Sequence, residues 1–237
     1  MNKSAGRLSF NEALMLALLE IKEGETVDVD ALLEKCHIGL PSLTRSLNKA
    51  HENGLVTLQG RDLRVTSSQK LSLALTSLDM GIDIEEVCRA GSWQEFEQLA
   101  ELVLQEEGYS TCRHFRFRSS GQSHEIDVIA MKKPLLLSVE CKRWKRSWQL
   151  SGLKRIAASH LIRTQSLCQV LCEHKGKLPL SNWSSAEIHP IVLMLGETPT
   201  KVEYGVPIVP IHRFRDFFAG FDVHLTEFAA YRCQLWS

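Results

Sequence analysis

Residues 124–142 constrain the fold most, because they combine the pattern of two β-strands with charges in unusual places. Residues 124–131 alternate polar and apolar side chains, which predicts a half-buried strand. Residues 135–142 form an apolar run that ends in charge, which predicts a second and more deeply buried strand. Two lysines and a proline at positions 132–134 separate the two segments, so we expect a short turn there.

The charges in this pair of strands lie where a sheet normally carries apolar side chains. Asp127 stands between Ile126 and Val128. Glu140 and Lys142 are two residues apart, so both side chains point to the same face of their strand. Buried carboxylates are costly unless something charged pairs with them. Two carboxylates and a lysine at neighbouring strand ends can hold a divalent cation and polarise a phosphate.

The composition sets the broad class of the protein. The chain has 237 residues, 44% of them hydrophobic, which is enough for one large or two ordinary domains. It has no long apolar run and no signal-peptide pattern, so we expect a soluble, cytoplasmic protein without a membrane partner. Its seven cysteines are scattered, and we expect reduced, half-buried thiols. A zinc site at Cys168, Cys172 and His174 is the less favoured alternative, because a fourth ligand is missing.

The formal net charge is zero, with 28 basic and 28 acidic residues, which argues against a uniformly basic nucleic-acid binder. The distribution is uneven, however. Residues 111–165 carry twelve lysines and arginines against three acids, whereas residues 81–108 carry eight acids against one arginine. A basic half-domain therefore follows an acidic helix, and phosphate-rich partners are expected at the basic part.

The first 70 residues predict three helices followed by a β-hairpin. The predicted helices and the strands of the hairpin span, in order, residues 11–21, 28–36, 41–53, 55–58 and 63–65. Together with the Gly-Leu-Val sequence that leads into the hairpin, this order resembles a winged helix-turn-helix domain. The resemblance is one of pattern and does not rest on a specific motif.

This resemblance implies that residues 41–53 form a recognition helix. We then expect Arg45 and Lys49 on that helix, and Arg61 and Arg64 on the wing, to contact DNA. A protein–protein or dimer-supporting module is the alternative for a domain of this kind.

Residues 71–91 have no Gly, Ser or Pro run and predict a structured helical connector to a second domain, residues 92–237. Ser92 has the position of a helix N-cap, with Glu95 three residues later to complete a capping box. Glu97 falls on the edge of the apolar stripe of this helix, where an acid needs a cation or a base, whereas we expect Glu95 to be exposed.

A basic and aromatic segment follows Lys142 directly. Arg143, Lys145 and Arg146 can track phosphates, and Trp144 can stack on a sugar or a base, so we expect DNA contacts here. A solvated loop anchored by tryptophans is the alternative. A long helix and two apolar strands follow, so the C-terminal domain is predicted as an α/β sandwich around a mixed sheet.

The helix with Glu97, the sequence Glu-Ile-Asp-Val-Ile-Ala around Asp127 and the later Val-Glu-Cys-Lys resemble the PD-(D/E)xK restriction-endonuclease-like nucleases. The similarity is greatest to Mrr-type restriction enzymes and archaeal Holliday-junction resolvases, and it covers residues 92–218. Ile126 stands where the name of the superfamily has proline. The resemblance implies an α/β fold with a restriction-endonuclease-like mixed sheet flanked by helices, preceded by the winged-helix domain.

The resemblance also implies a metal-dependent DNA endonuclease. Asp127, Glu140, Lys142 and Glu97 would be the catalytic residues. Mg²⁺ or Mn²⁺ would be held by Asp127, Glu140 and the backbone carbonyl of Cys141, with Glu97 in the outer coordination. Lys142 would orient or deprotonate the attacking water, or stabilise charge on the phosphate.

Several alternatives stay open at the level of sequence. The nuclease fold can serve as a scaffold for a non-catalytic DNA-binding regulator, or it can act on RNA. His124 and His160 are secondary candidates for a general base. Double-stranded or branched DNA is the expected partner, and cutting both strands usually needs two active sites, which makes a homodimer an option.

Overall fold

The computed structural model describes residues 9–36, 39–143 and 150–235. The chain divides into an N-terminal unit, Met1–Glu95, and a C-terminal unit, Phe96–Ser237. The three-part organisation into residues 1–70, 71–91 and 92–237 stays a prediction.

The N-terminal unit is mainly helical with one small sheet. Its elements are α1 (Phe10–Leu19), β1 (Val27–Asp28), α2 (Asp30–Cys36), α3 (Leu40–Glu52), β2 (Thr57–Gln59), β3 (Asp62–Arg64), α4 (Ser67–Asp79) and α5 (Ile84–Ala90). The strands form an antiparallel sheet in the order β1-β3-β2. Fully buried leucines of α1, α3, β3 and α4 form the core: Leu18, Leu43, Leu47, Leu63 and Leu73. The two-residue strand β1 is too short to produce a periodic signal in the sequence.

Glu95 corrects one expectation drawn from the sequence. Its carboxylate accepts the Ser92 backbone N–H, as the predicted capping box requires. The side chain is not exposed, however, since it is 3% accessible and lies 3.7 Å from Lys70 Nζ, which is also buried. The periodicity of the sequence did not indicate that Lys70 on α4 pairs with Glu95 and so allows its burial.

The C-terminal unit is an α/β structure, and its first helix crosses the division between the units. The elements are α6 (Trp93–Glu106), β4 (Ser110–Ser119), β5 (Gln122–Lys132), β6 (Leu135–Lys142), α7 (Leu150–Val170), β7 (Ser185–Met194), β8 (Val202–Glu203), β9 (Val206–Pro210), α8 (Phe214–His224) and β10 (Tyr231–Gln234). Short 3₁₀ turns follow α7, β9 and α8.

One large mixed sheet organises this unit, in the order β4-β5-β6-β7-β9-β8. β4, β5 and β6 form an antiparallel meander, whereas β7 pairs in parallel with β6 and with β9. β10 pairs antiparallel with the first residues of β7. The mixed sheet flanked by helices, predicted from the sequence, is confirmed, and β8 and β10 are additions to it.

Helix α7 packs on the sheet face that carries Glu140 and Lys142. Its Leu153 and Ala157 contact Val192 and Met194 of β7, which stand opposite Glu140 and Lys142 in the register of β6 with β7. This packing brings the polar positions of α7 to the charged end of β6, because the side chains of paired strand residues point to the same face of the sheet.

A disulfide joins Cys168 of α7 to Cys233 of β10, with a Cα–Cα distance of 5.5 Å. The expectation of reduced thiols is therefore wrong for these two cysteines, and Cys168 is not available as a zinc ligand. The pairing spans 65 residues and depends on β10 adding to the sheet, which the cysteine spacing did not reveal. In the described part of the chain, no helix is both long and apolar enough to span a membrane.

Candidate active site

Asp127 lies where two strands of the sheet stop pairing. The ladder between β5 and β6 runs from Lys132 opposite Leu135 to Val128 opposite Val139. One residue further on, Asp127 Oδ2 accepts the backbone N–H of Cys141 at 2.8 Å instead. The carboxylate therefore takes the place of a strand carbonyl, and it lies beside the end of β6 that carries Glu140 and Lys142.

Glu140 is 2% exposed and is surrounded by basic side chains. Lys142 Nζ contacts its Oε1 atom, and Arg163 Nη2 of α7 lies 2.6 Å from its Oε2 atom. His160 Nδ1 is 3.8 Å from the same Oε2. Burial on its own raises the pKa of the Glu140 carboxyl, but His160, Arg163 and Lys142 outweigh it and hold this pKa below its ordinary value.

Asp127 has the opposite balance. Burial, followed by the negative charge of Glu140, raises the pKa of Asp127 to about 7, and Glu97 contributes in the same direction. The Cys141 N–H and the charge of Lys142 offset only part of this. The surroundings of Asp127 therefore disfavour its charged form, mainly through burial, and a cation bound beside it would favour that form.

His160 supports the site from inside the protein. The ring is fully buried, and its Nε2 is 2.7 Å from the carbonyl oxygen of Ser138 on β6. A carbonyl can only accept, so Nε2 carries the proton. Burial lowers the pKa of His160 to about 4, so the ring is neutral near pH 7. Thr164 lies one helical turn after His160 on α7, and its hydroxyl donates to the Ser138 hydroxyl at 3.1 Å.

These contacts argue against the secondary assignment of His160 as a general base, because a fully buried ring does not reach a substrate. His124, the other secondary candidate, is half-buried and stacks on Phe117, with ring centroids 5.2 Å apart. Its place in the register is opposite Phe117, three residues along β5 from Asp127. Both histidines therefore have packing roles that account for them.

Glu97 reaches the same site from α6 and is 1% exposed. His114 Nε2 of β4 lies 3.3 Å from its Oε2 atom, and His114 Nδ1 lies 3.2 Å from Glu125 Oε1. His114 occupies the register position opposite Asp127, between the pairs formed by its two neighbours, and has a φ angle of +52°. A left-handed backbone at a residue other than glycine is costly, and such strain concentrates at functional sites.

Sequence reasoning did not identify His114 and Arg163 as neighbours of the acids. For Arg163 a usable signal existed, because His160 and Thr164 interrupt the otherwise apolar stripe of α7 and indicate a polar contact with the sheet. For His114 no pattern signals a left-handed residue within a strand.

The donor atoms around Asp127 are of the chemical kind that divalent cations prefer. The Asp127 and Glu140 carboxylates and the Cys141 carbonyl are hard oxygen donors of the kind that Mg²⁺ takes, and the raised pKa of Asp127 reflects surroundings that do not stabilise its charged form. Among the described residues, no three His, Cys, Asp or Glu side chains are grouped so that they could hold a metal. Backbone and water ligands would complete the shell, as is usual for Mg²⁺.

The predicted DNA-contacting residues have varied surroundings. Arg143 follows β6 and is half-buried, whereas Trp144, Lys145 and Arg146 lie outside the described residues. In the N-terminal unit, Arg45 and Lys49 are exposed on α3. The two wing arginines have partners within the fold.

The wing arginines contact residues in or next to β1, at the edge of the small sheet that is opposite β2. Arg61 contacts Asp30 and lies 3.7 Å from Asp28. Arg64 Nε donates to Thr26 Oγ1 at 2.8 Å. Both arginines would have to leave or share these contacts in order to reach a phosphate.

The mixed sheet and its flanking helices, with the acids at the ends of β5 and β6, define a restriction-endonuclease-like domain with the PD-(D/E)xK nuclease fold. Residues 88–167 match the family Mrr_cat, described as a restriction endonuclease. This part of the chain is therefore similar to a restriction endonuclease domain. The matched segment contains Glu97, Asp127, Glu140, Lys142 and Arg163.

An uncharacterized protein of Archaeoglobus fulgidus is 28% identical to this chain over 137 residues, which cover 57% of this chain and 96% of the relative. Two solved structures are also similar. A protein of unknown function, AF1548, has a TM-score of 0.32 and 16% identity over 45% of this chain and 49% of its own. Protein VC1899 from Vibrio cholerae has a TM-score of 0.40 and 9% identity over 92% of this chain and 53% of its own. This chain spans about half the length of each.

Proposed function

We propose that this protein is a metal-dependent DNA endonuclease that hydrolyses phosphodiester bonds. The observation that carries the proposal is the convergence of Asp127, Glu140 and Lys142 at the paired ends of β5 and β6, inside a segment that matches a restriction endonuclease family. A purely structural cluster would have no reason to bury an acid without full compensation.

Asp127 and Glu140, with the carbonyl of Cys141, would hold Mg²⁺ or Mn²⁺, and Glu97 would complete the outer coordination. A divalent cation supplies Lewis-acid chemistry, lowering the pKa of water and neutralising charge on a phosphate. The Cys141 N–H fixes the orientation of the Asp127 carboxylate, and His114 does the same for Glu97. These contacts keep the oxygen donors in place before any ligand arrives.

Lys142 would act on the attacking water and on the phosphate. Its side chain is one-third exposed, and its ammonium contacts Glu140, so it stands between the acids and solvent. From this position it can orient or deprotonate a water, or donate to a phosphate oxygen whose charge grows in the transition state.

The charges also suit a phosphodiester. Glu97, Asp127 and Glu140 bring three negative charges when ionised, against two positive charges from Lys142 and Arg163. These charges sum to minus one. One divalent cation would change the sum to plus one, and the single negative charge of a phosphodiester would then bring it to zero. With all three acids ionised, the site would repel the substrate without a divalent cation and attract it with one.

We further propose that the N-terminal unit is a winged helix-turn-helix that targets the nuclease to double-stranded or branched DNA. The order α1-β1-α2-α3-β2-β3 and the antiparallel three-stranded sheet support this proposal. Arg45 and Lys49 on α3 would contact DNA, with Arg61 and Arg64 on the wing and residues 143–146 of the nuclease domain adding phosphate contacts.

A plasmid-nicking assay with Mg²⁺ or Mn²⁺ tests the activity. We expect Asp127→Asn and Lys142→Ala to reduce cleavage by about a thousandfold or more, since each removes a group that acts on the reacting atoms. Asp216→Asn and Lys177→Ala are matched controls, because both residues are exposed and lie outside the site. Cleavage that survives Asp127→Asn would place the active site elsewhere.

Substrate choice needs separate arms of the same assay. Duplex, branched and single-stranded DNA and a single-stranded RNA are offered with each metal. Cleavage of RNA alone would favour the RNA nuclease. Binding of DNA without cleavage of any substrate would favour the non-catalytic regulator.

A further inference from the structure

Arg163 reaches Glu140 from helix α7, whereas Lys142 reaches the same carboxylate from β6. Its Nη2 atom lies 2.6 Å from Glu140 Oε2, and the side chain is 25% exposed. His160 and Thr164 fix this face of α7 to β6 through the backbone and side chain of Ser138. The backbone of α7 at Arg163 is therefore fixed relative to β6, while the guanidinium of Arg163 lies between Glu140 and solvent.

The contact between Arg163 and Glu140 is an ion pair without hydrogen-bond geometry. Neither Glu140 Oε2 nor Arg163 Nε, both buried, has a hydrogen-bond partner among the described residues. The contact of Lys142 with Oε1 of the same carboxylate, by contrast, includes a side-chain hydrogen bond. Of the two cations on Glu140, Arg163 is thus the more weakly held, since aligned charge-assisted hydrogen bonds are the stronger contacts.

Both oxygens of Glu140 are contacted by cations of the protein, Oε1 by Lys142 and Oε2 by Arg163. A divalent cation that binds Glu140 competes with these two cations for its oxygen lone pairs, and displacing one of them frees a coordination position. The better candidate is Arg163, because its contact is misaligned, its Nε is unsatisfied and its long side chain reaches solvent. A displaced guanidinium needs a new anion, and its planar fork of N–H groups matches two oxygens of a phosphate.

We propose that Arg163 exchanges between two anions: it holds Glu140 while the site is empty, and it binds a phosphate oxygen of the substrate once a divalent cation has taken its place. This assignment rests on the proposed nuclease function. It makes Arg163 both a competitor of the metal and a ligand of the substrate. Metal and DNA binding are then coupled through one side chain, and the coupling acts equally in both directions.

The test measures the two equilibria separately on the full chain. Calorimetric titration with Mn²⁺ in the absence of DNA gives the metal affinity. Fluorescence anisotropy of a labelled DNA duplex with saturating Ca²⁺ gives the DNA affinity, after gels show that the probe stays intact. The variants are Arg163→Gln, Arg163→Lys and, as a matched control, Arg232→Gln, which breaks an exposed arginine–glutamate pair at the other end of β7.

Arg163→Gln is expected to bind Mn²⁺ several-fold more tightly, because the competing cation is gone. The same variant should bind the duplex roughly tenfold more weakly in Ca²⁺, the loss expected for a charge-assisted contact. Arg163→Lys keeps the charge but not the fork, so its Mn²⁺ affinity should stay near that of the wild type while DNA binding falls. Arg232→Gln should change neither.

Unchanged or weaker Mn²⁺ binding by Arg163→Gln, or unchanged DNA binding by either Arg163 variant, would overturn the exchange. If thermal melting shows that Arg163→Gln does not fold, Arg163→Lys decides the question by its DNA affinity. A wild type that binds no Mn²⁺ and cuts no nucleic acid would refute the proposed function itself. A wild type that binds and cuts, with Arg163 variants that match Arg232→Gln, would refute only the role of Arg163.

Discussion

Both units of the chain contain buried carboxylates, but the acids differ in how the surrounding protein compensates their charge. In the N-terminal unit, Glu95 is buried against the single ammonium of Lys70 and also accepts a backbone N–H. In the C-terminal unit, Asp127 is half-buried beside the buried Glu140, and the nearby cations are directed mainly at Glu140. The first acid is paired with a lysine, whereas the second lacks a comparable cation and has its pKa raised to about 7.

Under the proposed function, this difference separates a structural acid from an acid that binds a metal. A buried pair with one acid and one base has no remaining charge for a ligand to satisfy. An acid whose pKa is raised to about 7 lies in a site that any bound cation would stabilise. Burial of a carboxylate alone therefore indicates little about function, and the charge balance around it is the informative quantity.

The largest expected effect is on the N-terminal pair. Lys70→Met leaves Glu95 buried without its cation, which should lower the free energy of unfolding by about 3–5 kcal/mol. The double variant Lys70→Met, Glu95→Gln should recover most of the loss, since it removes the buried charge. Urea unfolding at pH 7 measures both. Equal stability of the single variant and the wild type would show that Glu95 is hydrated and that the comparison is wrong.

The second expected effect is on Asp127, where removing the acid should raise the free energy of unfolding instead of lowering it. Asp127 binds a proton in the folded state up to about pH 7 but releases it near its ordinary pKa of 3.8 when unfolded, so this group lowers stability as pH rises through that window. At pH 8 in a chelator, Asp127→Asn should therefore be more stable than the wild type, by on the order of 2 kcal/mol.

Mg²⁺ sharpens this second test. It should raise the melting temperature of the wild type and leave that of Asp127→Asn nearly unchanged, because ligand binding stabilises only the folded state that binds it. If Asp127→Asn is destabilising at pH 8 without metal, the carboxylate is compensated after all and the contrast with Glu95 disappears.

His160 gives a smaller effect in an overlapping range of pH. The unfolded chain binds a proton at His160 below its ordinary pKa of 6.5, whereas the folded chain does so only near the lowered pKa of about 4, so this group makes stability rise with pH between those values. Asp127 and His160 therefore oppose each other in the wild type. Melting temperatures between pH 4 and 6.5 should rise more steeply with pH in Asp127→Asn, and should fall with pH in His160→Gln.

The core of this site was predictable because strand periodicity is strong there. The bounds of β6 match the predicted strand, and the observed register puts Asp127 next to the end of β6 that carries Glu140 and Lys142. The mixed sheet followed from the order of the apolar segments. Residues whose place depends on local alternation, or on neighbours within a few positions, can be assigned from sequence alone.

The partners of these acids could not be predicted in the same way. Arg163 reaches Glu140 only because α7 packs on one face of the sheet, and Lys70 reaches Glu95 only because α4 lies beside the start of α6. The bond between Cys168 and Cys233 depends likewise on where β10 joins the sheet. These are contacts between elements distant in sequence, and they follow from packing that no local pattern specifies.

The smallest expected effect concerns DNA binding by the N-terminal unit, where charges lie at the surface. Arg45 and Lys49 are exposed on α3, whereas Arg61 already contacts Asp30 and lies near Asp28. If the winged-helix proposal is right, Arg45→Ala and Lys49→Ala should each weaken duplex binding at low salt and reduce the slope of log affinity against log salt by roughly one. Arg61→Ala should change both quantities less, because freeing this arginine from its two aspartates offsets much of what a phosphate contact contributes. Anisotropy titrations at several salt concentrations measure the slopes, and equal slopes for all three variants and the wild type would mean that α3 does not contact the DNA backbone.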